Sequence, residues 1–344
     1  MTYVPPPSRA TAVAEIAGVL ARARRVLLTT HLNADGDGVG SQVALAAWLR
    51  ARGREGWLVN PTPFPDSYAF LLPDAGWAVD PASNRARELV AGADLAVVLD
   101  TGEVPRIGRV GELLRGLPTV VVDHHPPGDD PIAGLALRDP QACATGELLF
   151  DVLCAAGGPW PPAVALGLYV AILTDTGSFR FSNSTPAAHR IVAALLEAGV
   201  DPEDTHRRVY GSHPLSRLRL LHAALGELVV DPEGLLAWMT VPTDAYQSLG
   251  ASSDDLEGLA NYPREVHGVE AGLLFREPAR GGTKISFRAN GEVDVNALAR
   301  RFGGGGHVKA AGAMVERPLV EVREEVVAAT LEAIRAARRE RVGS

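Results

Sequence analysis

Val26-Leu27-Leu28-Thr29-Thr30-His31-Leu32-Asn33-Ala34-Asp35-Gly36-Asp37-Gly38-Val39-Gly40-Ser41 decides how the first half of this chain is read. A short, unbroken apolar run gives way to a polar, glycine-rich loop, and an apolar helical pattern over 40–52 follows at once. Apolar runs of this length suit strands buried on both faces, the habit of parallel sheets. The arrangement recurs along the chain. Strands are predicted at 26–30, 56–60, 95–100 and 119–123, with helices at 11–23, 40–52 and 85–91. Strands alternating with helices give an α/β, doubly wound, mostly parallel sheet.

Two apolar helices are predicted next, at about 142–156 and 163–173, parted by the breaker run 157–162. From 185 to 225 the pattern is helical, broken at 199–201 and 213–214, and reads as a connection between domains. Strands at 228–230 and 235–240, a loop at 258–263, strands at 269–275 and 284–289, a helix at 293–302 and a terminal helix at 318–341 complete the chain. A length of 344 residues suits about two domains. The expected division is 1–185, a helical linker 186–225, and a smaller α/β domain 226–344.

Hydrophobic residues make up 47% and charged residues 22%, ordinary globular usage. The longest apolar run, 163–173, has 11 residues, too short to span a bilayer, so no membrane association is expected. The first residues lack a charged segment followed by an apolar one, so a cytoplasmic protein is expected. The two cysteines, Cys143 and Cys154, lie in apolar helical sequence and read as small core residues, not a disulfide. A net charge of −8 argues against a partner such as long duplex DNA. Between Arg264 and Lys309, however, eight basic residues, Arg280 among them, face five acidic ones, and both lysines of the chain, Lys284 and Lys309, fall there. One locally positive segment suits a small anionic ligand.

Four clusters carry the chemistry. His31, Asp35 and Asp37 follow the first strand, Asp100 ends the third, Asp123-His124-His125 end the fourth, and Asp175 follows the apolar helix 163–173. Separately, most have ordinary explanations: Asp-Gly-Asp-Gly is a turn sequence, and a lone Asp caps a helix. Two adjacent histidines at a strand end are less ordinary. Open parallel sheets collect ligands beyond the carboxyl ends of their strands, so folding can bring all four clusters to one edge. Five carboxylates in one cleft repel and take up protons unless cations neutralise them. Two divalent ions would do so. Mixed carboxylate and imidazole donors suit Mn²⁺ or a similar ion better than a thiolate zinc site.

This ordered set resembles the DHH phosphoesterase superfamily. Lys284-Ile285-Ser286-Phe287-Arg288 and Phe302-Gly303-Gly304-Gly305-Gly306-His307-Val308-Lys309-Ala310-Ala311-Gly312 resemble its DHHA1 substrate-binding domain. The likeness spans nearly the whole chain. Size and the single tail motif look most like the bifunctional oligoribonuclease and pAp phosphatase (nanoRNase A) group. The resemblance implies one ion on His31, Asp35 and Asp100, and a second on Asp37, His124 and Asp175, with Asp100 bridging. It implies that Asp123 orients His124 or its neighbour, and that His125 faces the substrate and stabilises or protonates the leaving oxygen. Arg288, His307, Lys284, Ser286, Gly304, Gly305 and Gly306 are the implied substrate-binding residues, the glycines offering N–H groups to a phosphate. The implied cofactor is a pair of Mn²⁺ ions, with Mg²⁺ or Co²⁺ as substitutes. The implied substrates are RNA oligomers of roughly two to five nucleotides, such as pGpG, and 3′-phosphoadenosine 5′-phosphate, pAp.

Other readings stay open at this point. The tract 303–306 alone reads as a flexible linker. A cyclic-dinucleotide phosphodiesterase, a single-strand-specific exonuclease and an inorganic pyrophosphatase belong to the same chemical class, and a nucleotide-binding regulator would keep the fold without turnover. A homodimer is allowed for.

Overall fold

Short apolar strands need cover on both faces, and the first sheet receives it. In the computed structural model, which describes residues 3–343 other than 243, 252–253, 257 and 279–280, the chain divides into two compact units, Met1–Ser212 and His213–Ser344. Arg280 thus lies outside the described residues. The first unit holds β1 (Arg25–Thr29), β2 (Glu55–Leu58), β3 (Leu95–Leu99), β4 (Thr119–Asp123) and β5 (Leu135–Arg138). They are all parallel, in the order β2-β1-β3-β4-β5. The fifth strand escaped the sequence reading because it is a four-residue edge strand in which only Leu137 is buried.

One face of this sheet is covered by α1 (Ala10–Arg22), α2 (Gly36–Arg50), α5 (Thr145–Ala156) and α6 (Pro162–Asp175). Ile16, Leu20, Val43, Trp48, Leu149 and Leu168 close a core against Val26, Leu28, Val97 and Val122 there. The other face is covered by α3 (Asn84–Ala91) and the single turn α4 (Val110–Leu113), whose Leu89, Val110 and the nearby Ile107 pack on Leu27, Ala96, Val98 and Val121. Alternate residues of β1, β3 and β4 therefore serve two separate cores, which is why these strands read as unbroken apolar runs. α2 is buried from Gly36 to Leu49. It lies against α6 so closely that a Cβ on Gly40 would meet the Gly167 carbonyl at 2.4 Å. α2 also starts four residues before the predicted 40, because Asp35 caps it, accepting from the N–H groups of Asp37 and Gly38 at 3.1 and 3.2 Å. α5 begins at Thr145, later than the predicted 142. Cys143 is buried but Cys154 is exposed, correcting its reading as a core residue; both are free thiols. α7 (Pro186–Glu197) and α8 (Pro202–Tyr210) fall in this first unit, with Ile191 and Leu195 in its core.

The second unit begins with α9 (Leu215–Gly226). Its six-stranded sheet has the order β10-β11-β9-β8-β7-β6, from β6 (Val229–Val230), β7 (Leu236–Thr240), β8 (Ala271–Arg276), β9 (Thr283–Ala289), β10 (Gly305–His307) and β11 (Ala310–Val315). β7 and β8 are parallel and the other pairs antiparallel. α11 (Val295–Arg301) and the terminal α12 (Leu319–Gly343) cover one face, where Leu273, Phe275, Ile285 and Phe287 meet Leu298, Val322, Val326 and Ile334. On the other face α9 and α10 (Ala245–Leu249) pack on Met239, Val241 and Leu274. The predicted loop 258–263 is a 3-10 turn, Leu259–Glu265. Among the described residues no helix is long and apolar enough to cross a membrane.

Candidate metal centre

In an open sheet of this order the winding reverses between β1 and β3, and the crevice for a ligand lies beyond the carboxyl ends of those strands. His31 follows β1, Asp100 follows β3, and Asp123 ends β4 with His124 and His125 after it. His31 Nε2 lies 3.2 Å from Asp100 Oδ2 and 3.7 Å from Asp35 Oδ2. His124 Nε2 lies 3.7 Å from Asp37 Oδ2, 3.6 Å from Asp100 Oδ1 and 3.5 Å from Asp175 Oδ2. His125 Nδ1 is 2.9 Å from Asp123 Oδ1 and 3.7 Å from Asp100 Oδ1. All eight side chains singled out in the first half of the sequence converge here.

Each is set by its local backbone. Asp100 is buried and adopts φ 63°, a left-handed turn that a non-glycine residue holds only under strain, and strain of this kind collects at functional sites. The Asp-Gly-Asp-Gly stretch is not a free turn: Asp35 is a helix cap and Asp37 lies in the first turn of α2. Between them, Gly36 leaves no space, since a Cβ would fall 2.5 Å from the Thr174 side chain. Asp175 is the last residue of α6, which runs two residues past the predicted 173, so Asp175 closes the helix and does not open the polar turn expected there. His31 Nδ1 is 2.9 Å from the Leu32 carbonyl and His124 Nδ1 3.3 Å from the Ala142 carbonyl, which leaves each Nε2 to the carboxylates. Asp123 accepts from both the backbone N–H and Nδ1 of His125, so of the two neighbours left open it is His125 that Asp123 orients.

Some functional side chains were not foreseen. At the start of α5 the N–H groups of Thr145 and Gly146 donate to Asp37 at 2.6 and 2.9 Å, and Thr145 Oγ1 donates to Asp100 at 3.1 Å. A helix N-terminus is a natural seat for a carboxylate. Thr145-Gly146-Glu147 marks that start in the sequence, hidden behind the apolar Ala142-Cys143-Ala144, which extend the helical pattern toward the N-terminus. Arg106 holds the His31 loop by accepting from Leu32 N–H at 2.7 Å through its carbonyl, and its guanidinium is near enough to oppose protonation of His125.

The charges fit a cation site. The donor atoms of His31, Asp35 and Asp100 lie within 4.8 Å of one another, as do those of Asp37, His124 and Asp175, and those of Asp100, His124 and His125. Burial, then the charges of Asp100, Asp175 and Asp35, drive the Asp37 carboxyl well above the usual range. Burial with Asp100 and Asp35 pushes Asp175 up to about 8. Burial alone would lower His31, but hydrogen bonding to Asp100 and the nearby Asp35 raise it to about 10. His124 is lowered, because burial and the neighbouring His125 outweigh Asp100. That favours the neutral imidazole, the form that ligates metals. Carboxylates crowded until they take up protons are groups that a divalent cation would return to their ionised form.

The second unit keeps its own candidates. Lys284, Ser286 and Arg288 share the face of β9 turned away from the core residues Ile285 and Phe287. Ala310 stands opposite Arg288 and Gly312 opposite Ser286. Burial and the nearby Arg264 lower the pKa of Arg288, whose Nη1 donates to the Phe287 carbonyl at 2.9 Å. The tract 303–306 is no linker: Gly305–His307 is β10, paired with β11. Gly304 N–H donates to the Ala299 carbonyl at 2.9 Å and Gly306 N–H to Asn296 Oδ1 at 3.0 Å. Those two amides are thus engaged within the fold. His307 is exposed on β10.

Residues 25–172 match the DHH family, N-terminal domain, and residues 241–337 match the DHHA1 domain. The chain is 35% identical over 315 residues to the bifunctional oligoribonuclease and PAP phosphatase NrnA of Thermus thermophilus, covering 88% of this chain and 91% of that protein. It is 26% identical to the protein of the same name from Bacillus subtilis, over 84% of this chain and 89% of that one. Among solved structures, an exopolyphosphatase-related protein from Bacteroides fragilis superposes with a TM-score of 0.86 at 25% identity, covering 95% of this chain and 96% of the other. On the matched domains and the near full-length likeness, the chain belongs to the DHH family and carries a DHHA1 domain.

Proposed function

We propose that the chain is a metal-dependent phosphoesterase that hydrolyses oligoribonucleotides of roughly two to five nucleotides, such as pGpG, and the bisphosphate pAp to mononucleotides. One observation carries this reading: the Asp100 carboxylate has one oxygen 3.2 Å from His31 and the other 3.6 Å from His124, so it borders both carboxylate–imidazole triads. His31, Asp35 and Asp100 would hold one divalent ion, and Asp37, His124 and Asp175 a second, with Asp100 shared. Mixed oxygen and nitrogen donors favour Mn²⁺ over Mg²⁺, with Co²⁺ as a substitute. Relatives named for oligoribonuclease and PAP phosphatase activity over most of their length support the substrate class.

When bound, two such cations acidify a water and polarise a phosphoryl group for in-line attack. The chain's own residues do the rest. Asp123 accepts from His125 Nδ1, so the His125 proton available to a leaving oxygen sits on Nε2. Burial would lower His125, but the Asp123 hydrogen bond and the charges of Asp100 and Asp123 raise it, which favours the protonated ring. Residues 226–344 would recognise the nucleotide through Arg288, Lys284 and Ser286 on β9 and His307 on β10. Arg288 suits a phosphate as a fork of donors. Incubating the protein with Mn²⁺ and, separately, pAp, pGpG, short RNA oligomers, cyclic di-AMP and pyrophosphate tests the reading. Mononucleotides released fastest from pAp and the shortest RNAs are expected; preferential turnover of cyclic di-AMP or pyrophosphate would refute it.

A further inference from the structure

One five-residue stretch holds three side chains of the centre. The Ala142 carbonyl lies 3.3 Å from His124 Nδ1, Thr145 and Gly146 N–H groups donate to Asp37, and Thr145 Oγ1 donates to Asp100. The stretch is anchored from behind. Glu147 accepts from Cys143 N–H at 3.0 Å and from Arg9 Nη1 at 2.7 Å, and the buried Arg9 also pairs with Asp139 and Asp151. Asp175 belongs to a different element, at the C-terminus of α6, where helix carbonyls have no partner of their own.

Asn183 bridges the two. Its Nδ2 donates to the Cys143 carbonyl at 2.9 Å and to the Asp175 carbonyl at 3.1 Å. With both donor bonds made, the amide orientation is fixed, although its Oδ1 is buried without a hydrogen-bond partner in the protein. The turn that returns Asn183 to the end of α6 is costly: Gly177, Ser178 and Phe179 are all left-handed, at φ 54°, 59° and 64°. Strain in two consecutive non-glycine residues is tolerated where the surroundings demand one geometry. We infer that Asn183 is a positioning residue: by tying Asp175 to the 142–146 stretch it sets the spacing of Asp37, His124 and Asp175 and thereby the affinity for the ion those three hold. This rests on the metal-dependent reading above.

The test is a Mn²⁺ titration of the full chain by calorimetry, with electron paramagnetic resonance to detect a coupled ion pair. Wild type is expected to bind two ions. Asn183→Ala should keep one affinity and lose about 10–100-fold in the other. The coupled signal should fade at limiting metal, and kcat should recover as Mn²⁺ is raised. Asn183→Ser, which retains a hydroxyl donor, should fall between, and it decides the matter if Asn183→Ala does not fold. Wild-type affinity for both ions in the folded variant overturns the inference, whatever its activity. A wild type that binds two ions but cleaves neither pAp nor short RNA overturns the functional reading and leaves this one standing; a wild type that binds no divalent ion overturns both.

Discussion

His31 Nε2 and Asp100 Oδ2 lie 3.2 Å apart, joining the loop after β1 to the residue that follows β3 across the point where the sheet reverses its winding. Asp100 makes this contact from a left-handed backbone, φ 63°. The other carboxylate oxygen accepts from Thr145 Oγ1 and lies 3.6 Å from His124 Nε2. Asp100 thus stands beside all three histidines of the centre.

Asp100→Ala should therefore lower kcat by at least about 100-fold, a barrier increase of about 2.7 kcal/mol. The charge of Asp100 also pushes Asp37 and Asp175 upward, so its removal relieves repulsion in the metal-free protein. The melting temperature without metal should stay level or rise. A variant keeping more than a tenth of wild-type kcat would contradict the shared role.

Metal-free protein should lose stability as pH rises. Asp175 moves from an ordinary 3.8 up to about 8 on folding, and His31 from 6.5 up to about 10. For a folded value above the unfolded one, the stabilisation is complete below the unfolded value and disappears as pH climbs through the folded value. The Asp175 contribution thus fades between about pH 4 and 8 and that of His31 between about 6.5 and 10; Asp37 acts in the same sense. Asp35, held below the usual range by the neighbouring His31 against the effect of burial, acts oppositely but only below about pH 4. Scanning calorimetry from about pH 5 to 9 should show the metal-free melting temperature falling by several degrees. Saturating Mn²⁺ should abolish the fall, because ligation favours ionised carboxylates. A rising metal-free curve would show that these groups are not crowded as described.

Much of this was legible in the sequence. Strands such as 119–123 declare themselves through unbroken valines, and the acids and histidines stand at their ends, so both the sheet and the convergence followed from pattern alone. What stayed hidden depends on contacts between distant segments. β5 is too short and too exposed to leave an apolar signature. Thr145, Gly146 and Asn183 act through a backbone amide pair and a side-chain amide on backbone carbonyls, and polar small residues of that kind occur in every loop. The glycines of 303–306 are hard to read for the opposite reason. Their bareness suggests open N–H groups, whereas it permits a hairpin in which Gly304 and Gly306 donate within the fold.

Asp123→Asn tests the orientation of His125. The carboxylate accepts from His125 Nδ1 at 2.9 Å and raises its proton affinity. An amide can do neither as well, so the basic limb of the kcat–pH profile should move to lower pH and kcat should fall by about 10²–10⁴-fold. Mn²⁺ affinity should change little, since Asp123 belongs to none of the three donor groups. An unshifted basic limb would assign the proton to another group.

The last prediction concerns substrate length. The chain is acidic overall, while residues 264–309 hold eight basic residues against five acidic. A patch of that size can neutralise only about two or three phosphates, each adding roughly 0.7 to the slope of log affinity against log salt for a single strand. Arg288 lies on the polar face of β9 beside Lys284 and Ser286. Its replacement by alanine should raise KM for pGpG about 10-fold, leave kcat within about 2-fold, and reduce the salt slope by about one contact. An unchanged slope would remove Arg288 from the phosphate contacts. For the wild type, kcat/KM should be highest for pAp and RNAs of roughly two to five nucleotides and decline for longer strands, because a chain of net charge −8 repels each added phosphate. Activity that climbs steadily with RNA length, together with a steep salt slope, would instead describe a processive exonuclease.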